Sequence, residues 1–191
     1  MKYLFILFIA IISLKVSAQQ KQFPLDDRGK FIYYEVVDVK TTSKDSLMMR
    51  ANTFLNSYKK SIVKESSTDT SIIAKGKMII DKTILVAGHP SGEVNYNLNF
   101  EARDKKYRFW LTDFEYIPYQ RDRYGNYVAS TKIGTVLEQT PGKLNAGEWK
   151  DILESAYNKT NKLAEGFKKA LATNSTDKQK TKVNTVSTKK W

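Results

Sequence analysis

Few residues in this chain have side chains able to do chemistry, and their spacing decides what each can do. His89 is the one histidine, within Gly88-His89-Pro90-Ser91-Gly92. An imidazole acts as a catalytic base or metal ligand with partners. The sequence has no second histidine and no cysteine to complete a zinc set or a Cys–His pair. Ser91 lacks the Gly-x-Ser-x-Gly elbow of a hydrolase nucleophile. Neither a glycine-rich phosphate loop nor EF-hand spacing occurs. Asp113 and Glu115 share one face of an extended stretch by parity. Paired carboxylates do acid–base work when their surroundings push their pKa values apart; exposed ones pair with lysines across a sheet. They carry the alternative of a hydrolase-type enzyme. No cofactor and no metal site is expected.

A second set is aromatic and basic. Tyr107, Arg108 and Trp110 precede Tyr116, Tyr119, Arg121, Arg123, Tyr124 and Tyr127. Tyr and Arg are enriched at binding hot spots, and long structured loops are often functional. Tyr107, Arg108, Trp110, Tyr119, Arg121, Arg123, Tyr124 and Tyr127 are therefore the expected binding surface, suited to a sugar, an anionic polymer or a protein partner. The competing reading places Trp110 and half of the tyrosines in the core, with Arg121 and Arg123 flanking Asp122 in water.

The elements that must position these residues follow from periodicity. Phe31–Val39 is rich in β-branched and aromatic residues and reads as a strand. Ser43 is placed to cap a helix whose buried face runs Leu47, Met48, Ala51, Phe54, Leu55, Tyr58 and Ile62, with Lys59 and Lys60 in its last turn. Residues 62–65 and 71–74 flank Ser67-Thr68-Asp69-Thr70 as a hairpin, and a further strand runs from Lys77 toward Val86. Gly88–Gly92 reads as a loop by composition. Val94, Tyr96, Leu98, Phe100 and Ala102 alternate with polar residues, the mark of a strand with one face on a core. After the turn Asp104-Lys105-Lys106, the apolar parity from Tyr107 slips near Thr112, which predicts a bulge. Tyr119–Gly142 reads as irregular. A second helix spans Gly147–Leu171, its stripe being Trp149, Ile152, Leu153, Ala156, Thr160, Leu163, Ala164, Phe167 and Leu171. The expected fold is α+β, in the order β-α-β-β-β-β-α. It is a mostly antiparallel sheet with both helices packed on one face.

The ends of the chain speak to location. Lys2, an apolar run from Tyr3 to Leu14 and Val16-Ser17-Ala18 make a secretory signal peptide with cleavage expected after Ala18. The apolar run is short of the roughly 20 residues that span a bilayer. The absence of cysteine excludes disulfides and a lipid-bearing cysteine. Residues 19–22 read as a polar lead-in, 23–171 as one domain and 172–191 as a disordered Lys/Thr-rich tail. The full chain carries a net charge of +12, and loss of Lys2 and Lys15 with the signal lowers it by their two charges. Of the remaining +10, the tail from Thr173 holds +4 and the folded part about +6; weak electrostatic contact of the tail with an anionic surface is expected. The domain itself is not basic enough to demand a nucleic acid, and none is expected as a partner; a nucleic-acid-binding domain is the last alternative, because an exported protein does not ordinarily meet chromosomal DNA. The expected product is an exported protein, periplasmic or secreted, that binds an envelope ligand or protein.

Several stretches resemble a known family. They are Gly29–Val37, the helix start Ser43–Leu47, Ala74-Lys75-Gly76-Lys77, and Tyr96–Phe100 with Arg103–Arg108. They are similar to the family numbered 4468 among the domains of unknown function. Two positions depart from its pattern, Lys105 where a turn glycine is expected and Phe54 where the helix usually has tryptophan. The resemblance implies a TATA-binding-protein-like fold over Phe23–Leu171 and an exported setting. It implies no activity and no functional residue.

Overall fold

The computed structural model describes residues 22–84, 87–140, 142 and 145–173, without the side chains of 82–84, 87 and 88. The signal peptide and all but the first two residues of the expected tail lie outside the described residues. Among the described residues, seven strands and two helices follow in the order β1 (Ile32–Asp38), α1 (Lys44–Ser57), β2 (Ile62–Ser67), β3 (Ser71–Ile84), β4 (Ala87–Arg103), β5 (Lys106–Arg121), β6 (Tyr127–Ala129), β7 (Thr135–Val136) and α2 (Ala146–Ala172). The sheet order is β1-β5-β4-β3-β2 with antiparallel pairing throughout. The free side of β5 is covered in turn by β1, β7 and β6.

The period-two alternation of β4 places Val94, Tyr96, Leu98, Phe100 and Ala102 in the core. Both helices cover that face, as the α+β reading required. Ser43 caps α1 by accepting the Ser46 N–H at 3.3 Å, and Asp45 sits in the first turn, where the helix dipole favours an anion. The apolar stripe of α2 buries Ile152, Ala156, Thr160, Ala164, Phe167 and Leu171. Phe167 joins the layers: its ring centroid lies 5.1 Å from Phe54 on α1, 5.4 Å from Phe100 and 5.1 Å from Phe109. Arg50 on α1 donates at 2.6 Å to the Leu171 carbonyl, one of the orphan acceptors at the end of α2.

The bulge near Thr112 is present. Asn95 faces Glu115 and Asn97 faces Thr112, so Asp113 and Phe114 both lie against Tyr96. Asp113 adopts φ +53°. This extra residue keeps Phe114 and Tyr116 buried beyond the slip and turns Asp113 outward.

Three expectations are corrected. The first helix ends at Ser57 rather than Ile62. A tight turn through Tyr58 and Ser61 follows, and Ile62 is buried as the first residue of β2, leaving Lys59 and Lys60 outside the helix. The expected loop Gly88–Gly92 belongs to β4. Ile80 pairs with Gly92 and Asp81 with Pro90, so Ser91 is the extra residue of a bulge, and such bulges tolerate proline in a sheet. Tyr119–Gly142 is not wholly irregular, since β5 extends to Arg121 and β6 and β7 return to pair with it. Leu137 is buried there, and its N–H donates to the Phe114 carbonyl.

Candidate functional site

The aromatic and basic residues expected to bind fall into three places. Tyr107 is buried at 2% exposure between Phe100 and Phe109 and packs in the core. Arg108 and Trp110 point to the sheet face that no helix covers. There the Arg108 guanidinium lies 5.4 Å from the Trp110 ring centroid and donates to Glu101 at 2.8 and 2.7 Å. Tyr34 of β1, directly across from Trp110, completes the row at 6.4 Å between centroids. The remaining residues gather on an arm formed where β5 runs on past Pro118, its last pair with β4, and β6 folds back onto it. The eleven residue steps from Trp110 to Arg121 span about 35 Å of strand, so the arm and the aromatic row are separate places.

The arm is built around its turn. Asp122 accepts the backbone N–H groups of Tyr124 at 2.8 Å and Asn126 at 2.9 Å and the Asn126 amide at 3.2 Å, while Gly125 takes φ +82°. These bonds, the Asn126 backbone N–H first, hold the Asp122 carboxyl below the usual carboxylate value. Asp122 therefore serves the turn, and the arginines beside it do not pair with it. Arg121 donates to Tyr127 Oη at 2.9 and 3.1 Å and lies 5.0 Å from that ring's centroid. Tyr127 in turn stacks on His89, 5.3 Å away and within 6° of parallel. His89 Nδ1 lies 3.2 Å from the Pro90 carbonyl, so the imidazole is committed to the arm's packing. Arg123 sits 4.8 Å from the ring of Tyr124, which is 74% exposed. Two guanidinium groups thus rest on tyrosine faces with no carboxylate within ion-pair reach among the described residues.

Tyr119 anchors the arm instead of exposing itself. Its hydroxyl donates to Glu93 at 2.8 Å, and Lys77 holds the same oxygen at 3.0 Å. Desolvation, and then the bond to Glu93, pushes the Tyr119 hydroxyl up to about 12.

Asp113 and Glu115 come together as parity implied, lining a hollow of about 530 Å³ on the bare sheet face with Asn95, Asn97 and Lys60. Among the described residues no three His, Asp or Glu side chains converge as a metal site would require. The sequence reading missed Tyr34, Asn95, Asn97 and Lys60. The neutral run of alternating asparagines on β4 was the one available signal. What lies across from them depends on strand order.

Residues 33–117 match the family model described as a domain of unknown function (DUF4468) with TBP-like fold. A TBP-like protein from Parabacteroides distasonis ATCC 8503 is similar at TM-score 0.58 and 15% identity, covering 78% of this chain and 96% of that one. A DUF4468 family protein from Bacteroides ovatus ATCC 8483 is similar at TM-score 0.56 and 12% identity, covering 81% of this chain and 92% of that one. The fold is thus TBP-like, as the resemblance in the sequence implied. No curated protein matches the chain.

Proposed function

We propose that this chain is an exported, non-catalytic binding module of the bacterial envelope that holds an anionic ligand or partner on the arm formed by β5 and β6. The observation that carries this reading is the state of Arg121 and Arg123. Both are exposed, both lie over tyrosine rings, and the carboxylate between them is spent on the turn. An arginine resting on an aromatic face is held in place, and the N–H groups that Arg121 does not spend on Tyr127, with those of Arg123, can meet a carboxylate, sulfate or phosphate oxygen. Anchoring by Tyr119, Glu93 and Lys77 keeps the arm from spending binding energy on its own ordering. Export rests on Lys2, the Tyr3–Leu14 apolar run and Val16-Ser17-Ala18.

The test is a titration of the mature chain with a polyanion, polygalacturonate, against neutral dextran. The expected result is binding to the polyanion alone, weakening as salt rises, and lost when Arg121, Arg123 and Tyr124 are all replaced by alanine. Undiminished binding by that variant would exclude the arm. Intact mass of protein recovered from its own host tests export, with cleavage after Ala18 as the expected result.

A further inference from the structure

A second site lies on the face of the sheet that the helices leave open. We propose that the hollow between β5 and the start of β2 binds short free peptides, with their ammonium end at Asp113 and Glu115 and their carboxylate end at Lys60.

The shape comes from the bulge. A regular strand would turn residue 113 toward the core; the extra residue, at φ +53°, turns Asp113 out beside Glu115. The two carboxyl groups form one wall of the hollow, which measures about 530 Å³. That is within the range of sites for small ligands, roughly 300–1,000 Å³. Asn95 and Asn97 of β4 lie next in the sheet, and Lys75 and Lys77 of β3 beyond them. Lys60, just before β2, lines the opposite end.

The charges on these walls are unevenly satisfied. Lys75 is tied to Glu65 at 2.7 Å and Lys77 to Glu93 at 3.0 Å. Asp113 accepts the Asn97 amide at 3.0 Å and meets the exposed Arg28 only at 3.8 Å. Glu115 and Lys60 have no side-chain hydrogen bond or ion pair among the described residues. Glu115 is also fixed in position, because Gly134 packs against its Cβ so closely that any side chain at 134 would collide with it. The hollow therefore presents a negative end, a neutral amide floor and a positive end.

Size then selects the ligand. Three interstrand spacings separate the β5 and β2 backbones, about 14 Å. Side chains standing off the sheet keep that separation, and an ion pair of about 2.8 Å at each end leaves about 8 Å, the span of a chain of two or three residues at about 3.4 Å each. The amides of Asn95 and Asn97 can both donate to and accept from the peptide bonds between the ends. A ligand with only one charged end leaves the other wall unpaired, which gives selection against it.

The experiment is a nuclear magnetic resonance titration of the full mature chain with trialanine, N-acetyl-trialanine and trialanine amide, each to about 10 mM, where millimolar affinity is readily seen. Trialanine is expected to shift the Asn95, Asn97 and Glu115 signals, and each capped peptide to bind about tenfold more weakly. Glu115→Gln should weaken trialanine about tenfold without changing the already weak binding of the N-acetylated peptide. Lys60→Met should do the same with respect to the amide. Asp113→Gly separates binding from folding, because glycine suits the positive φ; it should keep full stability and lose affinity. Equal binding of the capped peptides, shifts confined to the β5–β6 arm, or no shift at the highest concentration would each overturn the proposal. None of these outcomes bears on the polyanion reading, which rests on other residues.

Discussion

The Tyr96 ring lies across the backbone of Gly76, its direct partner on the neighbouring strand β3, in the space a side chain at 76 would occupy. Glycine inside a strand weakens it unless something else fills the gap. Here the ring does, and Tyr96 is 3% exposed beneath it. Gly76→Ala should therefore destabilise by about 1–3 kcal/mol, since an added Cβ overlaps the ring and must displace it. Urea denaturation checks this, and an unchanged midpoint would mean that the ring moves aside freely.

Lys105 occupies the turn between β4 and β5 at φ +62°, a conformation that costs a non-glycine residue energy. Its backbone is well used, with the N–H donating to Thr42 and the carbonyl accepting from Val39. The family resemblance expects glycine here, and the dihedral angle supplies the reason. Lys105→Gly should stabilise the protein by about 0.5–1 kcal/mol, the relief of strain outweighing the added freedom of the unfolded chain. Thermal unfolding of the two proteins decides it.

Alkaline pH should unfold the protein through its tyrosines. Desolvation raises the Tyr33, Tyr96, Tyr107 and Tyr119 hydroxyls, the Tyr107 and Tyr119 groups to about 12. A group raised in the folded state contributes stability that is fully present below its unfolded value, about 10 for tyrosine. That contribution is lost as pH rises from there through the folded value. Stability measured by denaturant midpoint should be flat below about pH 10 and fall above it, with tyrosinate absorbance appearing together with unfolding. Tyr107→Phe removes one such group and should make the fall less steep.

Most of the fold could be read because the chain is locally consistent. The alternation of β4, the Ser43 cap and the stripe from Ile152 to Leu171 each state their own burial. The slip at Thr112 revealed its bulge because Phe114 and Tyr116 resume the inward parity. Where the reading failed, composition misled. Gly88, Pro90 and Gly92 look like a loop, yet the Ser91 bulge lets proline sit in a long hairpin. Ile62 continued the helical spacing by coincidence, its burial coming from β2. The candidate sites were half legible for a different reason. Residue types nominated Arg121, Arg123 and Tyr124, but which carboxylate each arginine meets depends on the turn geometry that occupies Asp122. The placement of Lys60 opposite Glu115 needs the order β5-β4-β3-β2 and has no trace along the chain.

The central claim is that the β5–β6 arm binds through two guanidinium groups that pair with no carboxylate among the described residues. The measurement that tests it most directly compares polygalacturonate affinity and unfolding midpoint for the mature protein and for the variant with Arg121, Arg123 and Tyr124 changed to alanine. The account predicts affinity lost by at least about tenfold with stability within about 0.5 kcal/mol of the parent, as for other exposed substitutions. Retained affinity, or a variant that fails to fold, would contradict it.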